Sequence, residues 1–371
     1  MAAMTRGVGT ALVVGLLALV GAAGCGGSET PRATRTTTVI PSPTATPSPA
    51  PELVLGGPTV VAARQLSDGS RVLIAYDLGD GTTKQLTTLQ REDHPTVDAT
   101  GTSVVVQQYT GTAETDPWGK PGTGSHLVLI DLATGAREAL TAATRGVLDQ
   151  APVWNRTGDG WVYFVRTVDA GTASAMSTLW RVDPSTGDVQ RAPQAADVPV
   201  SRFVVERDGQ IAWVQAGWCD KDCGGAWRLD LTTGGHTRHQ FDPVSGGDWA
   251  WTPDGTRLAY SAHEGGVPGG ASLVITGWPD GTPRTLMSTK PEEVGGTTTW
   301  HAFLQVGWEP DGSAVIVQDT QYSWDSPGDL DSVQVEQRIL LVDTADGSTT
   351  PIGPASVHDL SFDVWAPPAT S

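Results

Sequence analysis

The sequence predicts an all-β protein: a six-bladed β-propeller of four-stranded antiparallel blades, its ring closed by the C-terminal strand joining blade one. Three observations predict it. A five-residue turn closing on glycine recurs six times, a second segment recurs upstream of each of the last five copies, and one apolar strand is left over at the C-terminus.

The turns are Asp77 to Gly81, Asp131 to Gly135, Asp183 to Gly187, Asp230 to Gly234, Gly277 to Gly281 and Asp343 to Gly347. Five open with Asp, whose carboxylate accepts backbone N–H groups two residues on. The closing Gly supplies the positive φ that a bulged hairpin requires. Successive copies start 54, 52, 47, 47 and 66 residues apart, at or above the period of propeller blades and past that of helical solenoids.

The second segment reads Pro95 to Gly101, Pro152 to Gly158, Phe203 to Gly209, Trp249 to Gly255 and Val306 to Gly312. An apolar strand follows each, at Val104 to Gln107, Trp161 to Val165, Ile211 to Val214, Leu258 to Ser261 and Ala314 to Val317. The unit is therefore strand, tight turn, strand, variable loop, strand, glycine turn, strand. Third strands such as Leu127 to Ile130 and Ile339 to Val342 are continuously apolar, as sheets covered on both faces are. Trp154, Trp251 and Trp308 share one position of the first strand, with Val97, Val205 and Phe362 as equivalents, and read as packing between blades.

Blade one lacks an innermost strand at its N-terminal end, where Thr59 to Gln65 already serves as a second strand. His358 to Val364 follows the sixth turn and its fourth strand. Paired with Thr59 to Gln65 it completes blade one and removes open sheet edges. At this point Trp251-Thr-Pro-Asp-Gly-Thr-Arg-Leu-Ala-Tyr260 and Trp308-Glu-Pro-Asp-Gly312 resemble the repeat of TolB-type β-propellers. The resemblance covers residues 58–365 and implies a propeller engaged in protein–protein work. The copies at Thr100-Gly101, Thr157-Gly158 and Arg207-Asp208-Gly209 depart from its pattern.

Residues 1–24 read as a lipoprotein signal peptide: Arg6 gives the positive start and Ala11 to Ala23 an apolar stretch too short to span a bilayer. Ala22-Ala-Gly-Cys25 resembles a bacterial lipobox, which implies lipidation of Cys25, a palmitate-type anchor and a secreted lipoprotein of actinobacterial style. Ala22 stands where a larger aliphatic is usual, and ordinary cleavage leaving a stray thiol is the other reading. Residues 25–57 carry the lipidated Cys and a Thr/Pro/Ser-rich disordered tether, 58–365 the propeller and 366–371 a disordered tail.

Lys plus Arg number 23 against 41 Asp plus Glu, a formal net charge of −18. No basic cluster appears, so nucleic acid is not an expected partner. The acidity reads either as a solubility device of an exported surface or as a site. Cys219 and Cys223 flank Asp220-Lys-Asp222; a disulfide is the reading for an oxidising compartment, with metal ligation as the alternative.

The short turns of every blade project from one face, and long connections collect on the other. They include Thr110 to Ser125, Ala216 to Gly225, Thr320 to Gln337 and the link Ser288 to Leu304. That face presents Trp118, Trp218, Trp300, Tyr322 and Trp324 beside Asp116, Asp220, Asp222, Asp325, Asp329 and Asp331. Exposed aromatics with carboxylates suit a peptide, a basic protein segment or a sugar chain; the bland alternative is that the rings only pin the loops. At the central channel on the same face, Asp93-His94, Asp149, Asp248, His301 and His358-Asp359 precede first strands, either as a cation ring or as turn caps.

No nucleophile elbow, zinc-binding His-Glu-x-x-His or phosphate loop occurs. The expectation is a membrane-anchored, extracytoplasmic, monomeric propeller that binds an envelope protein or peptide, does no chemistry and needs no cofactor or metal. The alternative is a glycan receptor or polysaccharide-active envelope enzyme using the long-loop face.

Overall fold

A computed structural model describes residues 55–110, 124–170, 172, 175–193, 200, 202–206, 209–215, 226–239, 248–252, 254–264, 269–278, 281–324, 333–353 and 358–367. Among these residues there is no α-helix. The chain begins with β1 (Thr59–Gln65), β2 (Arg71–Asp77) and β3 (Thr83–Leu89). Next come β4 (Glu92–Val97), β5 (Ser103–Thr110), β6 (Gly124–Asp131) and β7 (Arg137–Ala139), then β8 (Leu148–Trp154), β9 (Val162–Val168), β10 (Met176–Val182) and β11 (Val189–Arg191). They are followed by β12 (Arg202–Val205), β13 (Ile211–Gln215), β14 (Ala226–Asp230) and β15 (His236–His239), and by β16 (Trp249–Trp251), β17 (Arg257–Glu264), β18 (Gly270–Gly277) and β19 (Arg284–Thr289). The last are β20 (Glu292–Val294), β21 (Thr297–Trp308), β22 (Ala314–Trp324), β23 (Val333–Asp343), β24 (Thr349–Ile352) and β25 (His358–Trp365).

Consecutive strands pair antiparallel into meanders: β4 to β7, β8 to β11, β12 to β15, β16 to β19 and β20 to β24. The first two of these share one sheet through a single parallel bridge, Ser125 to Leu148. The remaining sheet has the order β25-β1-β2-β3, so the C-terminal strand pairs with the first one, Thr59 opposite Trp365 and Gln65 opposite His358.

The expected turn chemistry is present in detail. Asp77, Asp131, Asp183, Asp230 and Asp343 each accept through Oδ1 the N–H two residues on, at 2.6 to 3.0 Å. Their glycines carry φ of 70° to 75°. The second recurrent turn closes at Gly101, Gly209, Gly255 and Gly312 with φ of 68° to 75°, but in the second copy the left-handed residue is Gly160, not Gly158. Asn155 explains the shift. Its side chain bonds Asp159 and the carbonyl of Gly209, and a Cβ on Gly158 would collide with it at 2.4 Å. The turn is therefore wider, and the next strand begins at Val162.

The second and third strands of the first sheet, β1 and β2, are each buried along six of seven residues, while outer strands β3, β7 and β24 are largely exposed. Neighbouring meanders pack face to face. Leu73, Val104 and Trp365 share one apolar cluster, Phe164 and Leu127 another, Leu179 and Leu229 a third, and Val204 and Trp251 a fourth. Leu273 joins Phe303, and Ile316 and Ile339 join Val60 and Phe362.

Trp154, Trp251 and Trp308 lie at first-strand ends as expected. The equivalent in β25 is Val364 and not Phe362: Asp363 accepts from the Val97 N–H just as Thr96 accepts from the Trp154 N–H, which sets the alignment. Trp365 is the largest fully buried side chain among the described residues; its Nε1 donates to the Asp98 carbonyl, and its ring fills the space where a Cβ on Gly101 would stand. Deleting residues 357–371 is expected to abolish cooperative unfolding, because it strips β1 of one of its two partners; an unchanged calorimetric melting transition contradicts this expectation.

Candidate functional site

First strands enter the fold through a recurrent irregularity that sets side chains near their starts. Register shifts fall between Asp93 and Thr96, Gln150 and Val153, and Phe303 and Val306. His94 and Ala151, each followed by proline, take φ of 48° and 50°. Proline disfavours the right-handed helical region for the residue before it, and a left-handed non-glycine backbone costs roughly 1–2 kcal/mol, so surrounding contacts hold these bulges. The freed N–H groups bond across to neighbouring first and second strands: His94 to Ser361 Oγ at 2.6 Å, Ala151 to Gln107 Oε1 at 3.2 Å, and Phe362 to Gln305 Oε1 at 2.8 Å.

The bulge in β4 turns His94 towards β12 and β16. His94 Nδ1 lies 2.6 Å from Asp93 Oδ1, and the Asp93 carboxylate also acts electrostatically on the Tyr109 phenol. Arg202 Nη1 stands 3.8 Å from Asp248 Oδ1, and both groups act electrostatically on His94. Burial lowers the pKa of His94, but the Asp93 carboxylate and its hydrogen bond outweigh it, and the net direction is up. Burial raises Asp248 against the opposing pull of Arg202 and His94, and raises Tyr109 above the ordinary phenol value. The Asp93 contact fixes the tautomer and ring orientation of His94, an arrangement able to hold or move a proton at Nε2.

Of the channel residues picked from the sequence, Asp93, His94 and Asp248 are thus brought together. Asp149 is not: it is fully buried and held by Arg166 through two bonds of 2.6 and 2.7 Å. His301 joins a separate group, with Nδ1 2.8 Å from Asp319 Oδ1, while Arg338 donates twice to Asp319 Oδ2. The side chains of His358 and Asp359 lie outside the described residues. Among the described residues no group of three His, Cys, Asp or Glu could hold a metal ion. Sequence reasoning missed Tyr109, Arg202, Asp319 and Arg338; only Arg202, directly before the Phe203 copy of the repeat, carried a positional signal.

The aromatic face requires a correction. The segments expected as long loops, Ser288 to Leu304 and Thr320 to Gln337, are in large part strand: β20, the upper half of β21, and the ends of β22 and β23 form a projecting sheet. Trp300 stacks on its cross-strand partner Tyr322 at 5.1 Å and meets Trp324 at 5.8 Å. Trp300 and Trp324 are 7% and 8% exposed, so both are packed, not presented. Cys25, Asp116, Trp118, Trp218, Cys219, Asp220, Asp222, Cys223, Asp325, Asp329 and Asp331 lie outside the described residues.

No family model and no curated protein matches the sequence. Among solved structures, TolB from Acinetobacter baumannii is similar at 17% identity and a TM-score of 0.53, over 81% of this chain and 65% of that one. The chain therefore spans just under two thirds of that protein. Oligogalacturonate lyase in complex with manganese is similar at 13% identity and a TM-score of 0.48, over 72% and 74% of the two chains. A gluconolactonase from Xanthomonas campestris follows at 14% and 0.43, over 71% and 84%. At these identities the likeness is one of fold: the chain is all-β and TolB-like in its propeller architecture. The expectation that it is not an enzyme is withdrawn: a likeness of fold to TolB at 17% identity fixes no function, catalytic or otherwise.

Because the folded-state value of His94 is raised, its protonation contributes stability below the ordinary value of 6.5, and that contribution is lost as pH rises through the folded value. The His94 ring proton is expected to titrate by NMR above 6.5 and to move down in Asp93→Asn; a midpoint indifferent to that substitution contradicts the pairing.

Proposed function

We propose that the chain is a lipid-anchored, extracytoplasmic propeller of six blades, closed into a ring by β25, that captures an extended peptide segment of another envelope component at its long-loop end. Ring closure is supported by the pairing of β25 with β1 and by the apolar cluster joining Ile316 and Ile339 to Val60. The anchor rests on Cys25 and the leader before it, together with a tether too poor in large apolar groups to pack.

One observation carries the peptide reading. β23 pairs with β24 only from Ile339 to Val342, so from Val333 to Arg338 its outer edge has no strand partner among the described residues. Val335, in register with Tyr322 and Trp300, is 40% exposed on that edge. Such an edge takes up an extended segment through main-chain hydrogen bonds, with the apolar row selecting alternate side chains. Exposed Glu292, Glu293 and Glu336 and the charge of −18 favour a basic segment. Burial of Trp300 and Trp324 leaves those rings without the open faces that a sugar platform uses.

Photo-crosslinking in cells from position 335 is expected to trap a basic peptide segment of one envelope protein. Val335→Lys, which places a charge on the edge, should weaken that capture at least tenfold while leaving the melting temperature in place. Recovery of glycan, or undiminished capture by Val335→Lys, contradicts the reading. Separately, Cys25→Ala is expected to move the protein from the membrane to the soluble fraction; complete retention on membranes removes the anchor.

A further inference from the structure

A recess of about 380 Å³ opens at the same end of the β4 to β7 meander, lined by Gln90, Arg91, Gln108, Tyr109, Thr110 and His126. A volume of this size suits a small molecule. On a chain of net charge −18 its lining is unusual: a guanidinium, an imidazole, two primary amides, a phenol and a hydroxyl, with no carboxylate. The nearest acid, Glu92, is fully buried and already saturated. It accepts from the N–H groups of Gln90 and Arg91 and from Gln108 Nε2, and pairs with Arg137.

Near this recess two buried side-chain nitrogens lack hydrogen-bond partners among the described residues. Arg71, 8% exposed, acts electrostatically on Tyr109, and its Nη1 has no hydrogen-bond partner. His126, 9% exposed, has an unpartnered Nδ1. A buried guanidinium cannot shed its proton, and leaving it short of acceptors is costly, so the site is electrostatically incomplete as it stands. We propose that the recess binds a small molecule bearing a carboxylate or phosphate group, whose negative charge is met by Arg71 and Arg91 and whose remaining polar atoms bond Gln90 and His126.

Burial drives the pKa of His126 down, with Asp149 opposing, so the ring is neutral at neutral pH and serves as a hydrogen-bonding group and not as a second cation. The shared Tyr109 connects this recess to Asp93 and His94, so an occupant is positioned beside that proton site. Peptide capture on β23 uses none of these residues, and either proposal stands without the other.

Thermal melting of the full chain with inorganic phosphate, with succinate, and with chloride at matched ionic strength tests the site. The expected result is a saturable rise in melting temperature with phosphate or succinate and none with chloride, the more effective probe identifying the anion class. Arg91→Gln, at the half-buried margin, should raise the apparent dissociation constant about tenfold, the loss of one charge-assisted hydrogen bond, and Arg71→Gln should raise it by a smaller factor through the loss of nearby positive charge. If Arg71→Gln fails to fold, Arg91→Gln alone carries the comparison. No saturable response to either probe, or equal dissociation constants in the wild type and Arg91→Gln, overturns the proposal.

Discussion

The architecture depends on how β25 is held. On one side it forms a main-chain ladder with β1. On the other it meets β4 through side chains: Ser361 accepts from the His94 N–H, Asp363 from the Val97 N–H, and Trp365 donates to the Asp98 carbonyl. Arg156, in the turn after β8, reaches over both strands, bonding the carbonyls of Val97 and Val364 and pairing with Asp363. Burial outweighs Arg156 at Asp363 and pushes that carboxyl up, so the ion pair specifies where β25 sits more than it adds net stability. Stability comes from the apolar rings around it. Truncating a fully buried Trp such as Trp365 costs roughly 3–5 kcal/mol, a large share of a domain's margin.

That constraint shapes the candidate site. First strands locked to one another present the starts of β4, β12 and β16 at a fixed separation, which is why Asp93, His94, Arg202 and Asp248 can act as one electrostatic group though distant in sequence. The β21 to β23 projection is a different kind of feature. It extends a sheet beyond the repeat, is rigidified by the Trp300–Tyr322 stack on one face and by the His301–Asp319–Arg338 group on the other, and ends in an edge without a strand partner among the described residues. We propose proton chemistry and polar binding for the first region and main-chain recognition for the second.

Much of the fold was legible because turns are local. An Asp that bonds its own backbone two residues on, and a Gly that takes positive φ, declare themselves without tertiary context, and they marked the meanders and the pairing of β25 with β1. What escaped was non-local. The wide turn at Gly160 follows from Asn155 bonding Gly209, a residue of the next meander. The 66-residue spacing before the sixth turn was visible, but its surplus was assigned to loops although Thr320 to Trp324 alternates polar and aromatic residues as a strand does. Arg166 neutralising Asp149, and Arg71 Nη1 left without an acceptor among the described residues, depend on which strands become neighbours, and no spacing announces that.

Native-state hydrogen exchange on β1 and β25 tests the account at its centre. If the two strands are one cooperative unit tied into the ring, the amide protons that bridge them exchange only through global unfolding, with equal free energies matching that of denaturation. Exchange of β25 through a low-energy local opening, while the β1–β2 ladder stays protected, would show that the ring does not depend on its last strand.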